Sequence, residues 1–116
     1  MPVYHVVLFK LKPGVNQEQL ARWQTTARAM VGKIPGLISL HVDAPLPISV
    51  PRAKGFDMGL VAVLESPDHV AGYATHPVHL EVHKMREELC EDMLAYDLEF
   101  DDAAAGAAAA KGRAKL

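Results

Sequence analysis

The feature that most constrains this chain is a strand that is apolar on both faces. From Val3 to Leu11 the residues are β-branched, aromatic and aliphatic, and Pro13-Gly14 stops the run. Side chains alternate across a strand, so Val3, His5, Val7, Phe9 and Leu11 share one face, and Tyr4, Val6, Leu8 and Lys10 share the other. Leaving either face in water would expose a large apolar patch, so the strand belongs inside a sheet covered on both sides. His5 lies with the more apolar set, where a lone histidine is more often a hydrogen-bonded core residue than a ligand.

The rest of the chain supplies the cover. Asn16 followed by Gln19 reads as a capping box, and Leu20, Trp23, Ala27, Met30, Val31 and Ile34 recur at helical spacing until Pro35-Gly36, an amphipathic helix of about five turns. A second strand is expected from Leu37 to Val42. Residues 43–55 carry Pro45, Pro47 and Pro51 and read as a long irregular loop placed to cover a pocket mouth. Phe56 to Leu64 is a third strand with Phe56, Met58, Leu60, Ala62 and Leu64 on one face, and Gly59 marks a bulge or a close approach. Ser66-Pro67-Asp68 begins a short helix that ends near Thr75. Pro77 starts another that runs to about Glu91 around a stripe of Val78, Val82, Met85 and Leu89. At roughly 100° per residue, His79 and Arg86 fall at the edge of that stripe and His83 further round, in a wetter position. Met93 to Phe100 alternates as a last strand.

The order strand, helix, strand, strand, helical pair, strand is the α+β, ferredoxin-like βαββαβ pattern with a four-stranded antiparallel sheet. Its helices cover one face. An apolar second face is usually buried by pairing two sheets about a two-fold axis, so the pattern predicts a homodimeric α/β barrel. Residues 1–100 form the single domain expected of a 116-residue chain, and 101–116 read as a flexible Ala-rich tail. The formal charge of −2 and pI near 6.3 leave no electrostatic footprint for nucleic acid, and no apolar run is long enough to span a membrane. With Cys90 as its one cysteine and no secretory leader, the chain is expected in a reducing intracellular compartment.

Tyr73-Ala74-Thr75-His76-Pro77-Val78-His79 is the densest group of polar side chains, at the junction of the last two helices. A facing Tyr and His can supply a hydrogen-bond donor beside an acid or base, although spacing alone fits capping or surface roles equally. Two of His76, His79, His83 and Glu87 could share an ion, but no third ligand is placed, so no metal and no cofactor is expected. Cys90 reads as a small buried hydrophobe.

The run Tyr4 to Val15, the segment Lys54 to Val61, the junction Tyr73-x-x-His76-Pro77-x-His79 and the closing Tyr96-Asp97-Leu98 together resemble the stress-responsive dimeric α/β-barrel (Dabb) family over about Pro2 to Phe100. The resemblance implies a small apolar cavity between sheet and helices that takes a small apolar or aromatic carbonyl compound. It implies, further, that catalysis, if any, is the acid–base aldol chemistry of a plant polyketide-cyclase member. By position, Tyr73 and His79 are then the catalytic pair, with His5, Phe9, Met58 and His76 as substrate-binding residues. Met58 departs from that cyclase, which has a pocket histidine there. Non-catalytic binding or stress protection is the alternative. Separately, Ala114-Lys115-Leu116 resembles a peroxisomal address of the S-K-L type, which in a eukaryotic source adds an import receptor to the expected partners.

Overall fold

A computed structural model of the chain describes residues 1–101. The expected tail beyond Asp101, with Ala114, Lys115 and Leu116, lies outside the described residues. The elements are β1 (Val3–Leu11), α1 (Gln17–Arg28), β2 (Leu37–Asp43), a 3₁₀ helix (Pro47–Arg52), β3 (Met58–Leu64), α2 (Pro67–Thr75), α3 (Pro77–Leu89) and β4 (Cys90–Glu99). The strands form one antiparallel sheet in the order β2-β3-β1-β4, which is the ferredoxin-like arrangement. The two strands with apolar side chains on both faces, β1 and β3, are the central ones.

Register carries the alternation of β1 across the sheet. Val7 pairs with Leu60 and Ala95, and Phe9 with Met58 and Met93, so these side chains share the face on which the helices pack. Val3, Val7, Phe9, Leu60, Ala62 and Leu64 are buried there with Trp23, Ala27 and Met30, and full burial of each large apolar side chain is worth about 1.5–3 kcal/mol. The capping box forms as read: Asn16 Oδ1 accepts the Gln19 N–H at 2.8 Å and Gln19 Oε1 accepts the Asn16 N–H at 3.0 Å. It satisfies two of the donors that a helix start otherwise leaves orphaned.

Three boundaries and one internal feature differ from the sequence reading. α1 ends at Arg28, because Met30 and Val31 donate to Ala27 and Arg28 carbonyls in tight i−3 bonds and Gly32 turns the chain at φ +90°. Met30 and Ile34 stay buried, so the apolar period outlasts the helix. β3 begins at Met58, since the Asp57 carboxylate takes the Leu11 N–H at 2.8 Å where a ladder carbonyl would otherwise sit. Of the two readings of Gly59 the bulge does not occur, the register shifts falling between Leu37 and Ser39 and between Lys10 and Leu11, while Leu8 Cδ2 would lie 3.5 Å from a Cβ at that position. β4 follows α3 without a loop, and its polar start Cys90-Glu91-Asp92 is tolerated because an edge strand pairs on one side only.

The outer face of the sheet carries Tyr4, Val61, Leu94, Tyr96 and Leu98, each more than a third exposed in the single chain, with Tyr96 at 62%. Tyr4 stacks on Phe100 at 4.1 Å between ring centroids. Among the described residues, no helix is long and apolar enough to cross a membrane.

Candidate active site

Pro77 makes the junction between α2 and α3 abrupt. It cannot donate a backbone hydrogen bond, so it sits at the first position of α3, and His76 before it is extended at φ −65°, ψ 136°. The His76 ring closes the start of the helix, its Nδ1 accepting the Val78 N–H at 3.1 Å. The turn brings Tyr73, at the end of α2, against His79, in the first turns of α3, with ring centroids 4.4 Å apart. His5 of β1 completes the group, edge-on to Tyr73 at 5.2 Å.

These three rings line a cavity of about 330 Å³ between the sheet and the helices. Phe9, Trp23, Leu60 and Val82 supply apolar wall, and His83, Arg86 and Asp97 complete the polar lining. Tyr73 is 3% exposed, and its hydroxyl has no hydrogen-bond partner among the described residues. Burial, aided by the charge of Asp97, pushes its ionisation well above the ordinary tyrosine range, so the group stays an O–H donor.

His79 is held in the complementary state. Its Nδ1 lies 3.0 Å from the Ala74 carbonyl oxygen, which can only accept, so Nδ1 carries the proton and Nε2 keeps its lone pair. Burial is the largest influence and lowers its pKa below the ordinary value; the Ala74 bond opposes this, and the nearby His83, His5 and Arg86 charges add to the lowering. A neutral imidazole with a free Nε2 thus sits beside a protonated phenol. That combination can remove a proton and hydrogen-bond the oxygen that gains charge. His5 is oriented by Asp97, with Nδ1 to Oδ1 at 2.5 Å.

The sequence-predicted residues divide by place. Tyr73, His79, His5 and Phe9 share the cavity. His76 does not line it, because its ring is spent capping α3. Met58 does not line it either; it is 2% exposed in the core and adjoins a second hollow of about 370 Å³ on the other side of the sheet. That second hollow is also where the proline-rich loop lies, with Asp43, Pro45, Ser49 and Ala53 over Leu8 and Val61. The loop therefore does not cover the Tyr73–His79 cavity, and the missing side chain of Gly59 helps to form the hollow beneath it.

His83, read from the stripe as the wetter position, has its side chain 36% exposed and also lines the cavity with Arg86. α3 leans on α1 and meets β4 only lightly, so the edge of its buried stripe overlooks a gap rather than solvent. Asp97 carried a readable signal. It is the one acid that antiparallel pairing of β1 and β4 sets directly opposite His5. Among the described residues, no group of three or more His, Cys, Asp or Glu side chains converges to hold a metal ion.

Solved structures share this architecture. A dimeric protein of unknown function with a ferredoxin-like fold from Bacteroides fragilis is 27% identical, with a TM-score of 0.68, and the match covers 85% of this chain and 96% of that one. An Arabidopsis thaliana protein is 24% identical with a TM-score of 0.78, covering 86% and 96%. The hydroxynitrile lyase of Passiflora edulis is 20% identical with a TM-score of 0.77, covering 87% and 94%. No curated protein sequence matches the chain significantly. The family model of the stress responsive A/B barrel domain matches residues 3–100, and with nearly all of the described residues inside that match, the protein belongs to the stress-responsive A/B barrel (Dabb) family.

Proposed function

We propose that this A/B barrel protein binds a small apolar or aromatic carbonyl compound in the cavity of each protomer and acts on it by cofactor-independent, aldol-type acid–base chemistry. The observation that carries the reading is the Tyr73 hydroxyl, which has no hydrogen-bond partner among the described residues and opens on the cavity beside a neutral His79 whose tautomer the Ala74 carbonyl fixes. His79 Nε2 takes a proton from the carbon beside the ligand carbonyl. Electrons of that C–H bond move into an enolate whose oxygen accepts the Tyr73 hydrogen bond. The enolate carbon then attacks a second carbonyl, and the new alkoxide takes the proton back from His79. Positioned proton transfer of this kind typically contributes about 10²–10⁴-fold in rate. The Passiflora edulis hydroxynitrile lyase supports the reading only in that the same fold can carry a lyase.

The first half of the reaction is testable without the natural substrate. Purified protein is incubated with para-acetylbenzoate in D₂O, and loss of the acetyl proton signal is followed by NMR. Exchange faster than buffer, abolished by His79→Gln and strongly slowed by Tyr73→Phe, is the expected result. Binding without accelerated exchange would leave the second reading, a non-catalytic binder or stress-protection protein, which the mainly apolar wall of the cavity also favours.

The same reading includes a homodimer paired through the outer sheet face. Leu94, Tyr96 and Leu98 are exposed there along one edge strand, an apolar patch that a second copy would cover. The similar Bacteroides fragilis protein is described as dimeric. Tyr96→Glu is expected to give a monomer by sedimentation, and an unchanged dimer would remove this face from the interface. In a eukaryotic source, Ala114-Lys115-Leu116 would direct the protein to peroxisomes through an import receptor. A fluorescent protein ending in the last twelve residues tests this, and diffuse cytosolic signal would end the claim.

A further inference from the structure

The polar groups of the cavity form a row with a sign at each end. Asp97 pairs with His5, His5 meets Tyr73, Tyr73 meets His79, His79 lies 6.1 Å from His83 between ring centroids, and His83 touches Arg86. The row has a direction. The Leu89 carbonyl accepts the Lys12 N–H at 2.8 Å, tying the end of α3 to the end of β1, while His79 stays close to the His5 end. α3 thus runs parallel to β1, and the Arg86 backbone, seven residues beyond His79, lies about 10 Å further along, with its guanidinium reaching back onto the His83 ring.

Arg86 is half-buried on the cavity wall, and no carboxylate pairs with it among the described residues. The nearby Glu87 is taken by His83, Nε2 to Oε1 at 2.7 Å. One guanidinium nitrogen of Arg86, Nη2, lies 2.9 Å from His83 Nδ1 and 3.2 Å from Nε2. Lone pairs on the two ring nitrogens point apart, so a single atom this near both lies over the ring, and the remaining guanidinium donors have no partner among the described residues. A permanently charged fork of donors, held in an apolar cavity and lacking an acid, matches a planar anion. Asp97 at the opposite end would repel the same anion, which fixes the orientation.

We infer that the ligand is an apolar monocarboxylate, bound with its carboxylate on Arg86 and its carbonyl at Tyr73 and His79. This rests on the carbonyl-binding reading above and adds the substrate class and a specificity residue. The acid end and the reacting carbonyl lie on opposite sides of an apolar spacer, which Phe9, Trp23 and Val82 enclose.

Calorimetric titration with three matched probes tests it: para-acetylbenzoate, para-acetylbenzamide, which lacks the charge, and para-ethylbenzoate, which lacks the carbonyl. Para-acetylbenzoate is expected to bind about tenfold to a hundredfold tighter than the amide, the range of a charge-assisted hydrogen bond. Arg86→Gln should erase that difference chiefly by weakening the acid, and Arg86→Lys should restore part of it. A melting temperature close to that of the wild type certifies that the Gln variant is folded. Equal binding of acid and amide to the wild type, with para-ethylbenzoate weaker than both, would overturn the role of Arg86 and leave the carbonyl site standing. A preference for the acid that survives Arg86→Gln would also overturn it. Failure of all three probes to bind would overturn the acid site together with the reading beneath it.

Discussion

Tyr73→Phe separates the needs of the fold from those of the ligand at a single oxygen atom. The Tyr73 ring is buried and packs between His5 and His79, contacts that phenylalanine keeps. What is lost is a hydroxyl with no hydrogen-bond partner among the described residues. A paired buried hydroxyl contributes about 0.5–1.5 kcal/mol, and a fully buried unpaired one costs roughly 1–3 kcal/mol of lost solvation, but the Tyr73 oxygen is not fully buried and its opening on the cavity leaves only part of that cost. Removing it should therefore leave stability unchanged or raise it by up to about 1 kcal/mol. At about 2.1 cal/mol/K per residue of unfolding entropy, that is a rise of zero to about 4 °C in melting temperature, compared at equal protein concentration. A ligand carbonyl would lose its donor, so affinity for para-acetylbenzoate should fall by about tenfold, the value of one such hydrogen bond. The assay is a pair of thermal melts and a pair of titrations. A fall of more than about 4 °C would mean that the hydroxyl is bonded within the protein, and the carbonyl site would lose its donor.

His79 should make the protein acid-sensitive. Its folded pKa lies below the unfolded value, so as pH falls through about 6.5 the unfolded chain takes up a proton that the folded one does not, and stability drops until the folded pKa is passed. Wild type should lose more melting temperature than His79→Gln between about pH 7.5 and about pH 5.5, and equal losses would contradict a desolvated His79. Gly36→Ala should be strongly destabilising, because Gly36 stands at φ +82° and an added Cβ would overlap the His69 ring; a melting temperature within about 2 °C of wild type would refute this. Cys90 is buried and its thiol is pushed up to about 11, mainly by burial, so a thiol reagent at neutral pH should label it only after denaturation. Rapid labelling of the native protein would contradict that burial.

The fold was legible because its signals are local. Pro13-Gly14, Pro35-Gly36, Pro67 and Pro77 punctuate the elements, and two-sided apolarity marks β1 and β3 as central strands. The errors came where a tertiary contact outranks the local pattern. Asp57 shortens β3 by bonding a neighbouring strand, and Gly32 ends the helical path while the apolar period continues to Ile34. The site was legible only in part for the same reason. Tyr73 and His79 are six residues apart, whereas Asp97 and His5 meet across a ladder that alternation specifies only after the pairing is known.

The histidines show how little residue type decides by itself. His76 accepts from a backbone N–H and caps a helix; His5 holds a carboxylate; His69 bonds the Ser66 hydroxyl at 2.7 Å; His83 is drawn to Glu87. His79 alone among these sets a ring nitrogen against a backbone carbonyl, and that contact assigns its proton without appeal to solution pH. A carbonyl cannot take the proton away, so the ring is committed to presenting a basic Nε2 for as long as it stays neutral. Burial keeps it neutral, and the same burial keeps Tyr73 protonated. One physical cause, the burial of the two rings between the sheet and the helices, thus places base and acid in complementary states. A substitution that floods this corner without touching either ring, such as Val70→Asp on the cavity wall, should therefore relax both groups towards ordinary titration. The expected readout is a rise in the His79 pKa by NMR towards about 6.5, both in Val70→Asp at high salt, where the new carboxylate is screened, and in Val70→Asn, which wets the wall without adding charge. An unshifted His79 in both variants would mean that contacts other than dehydration hold its state.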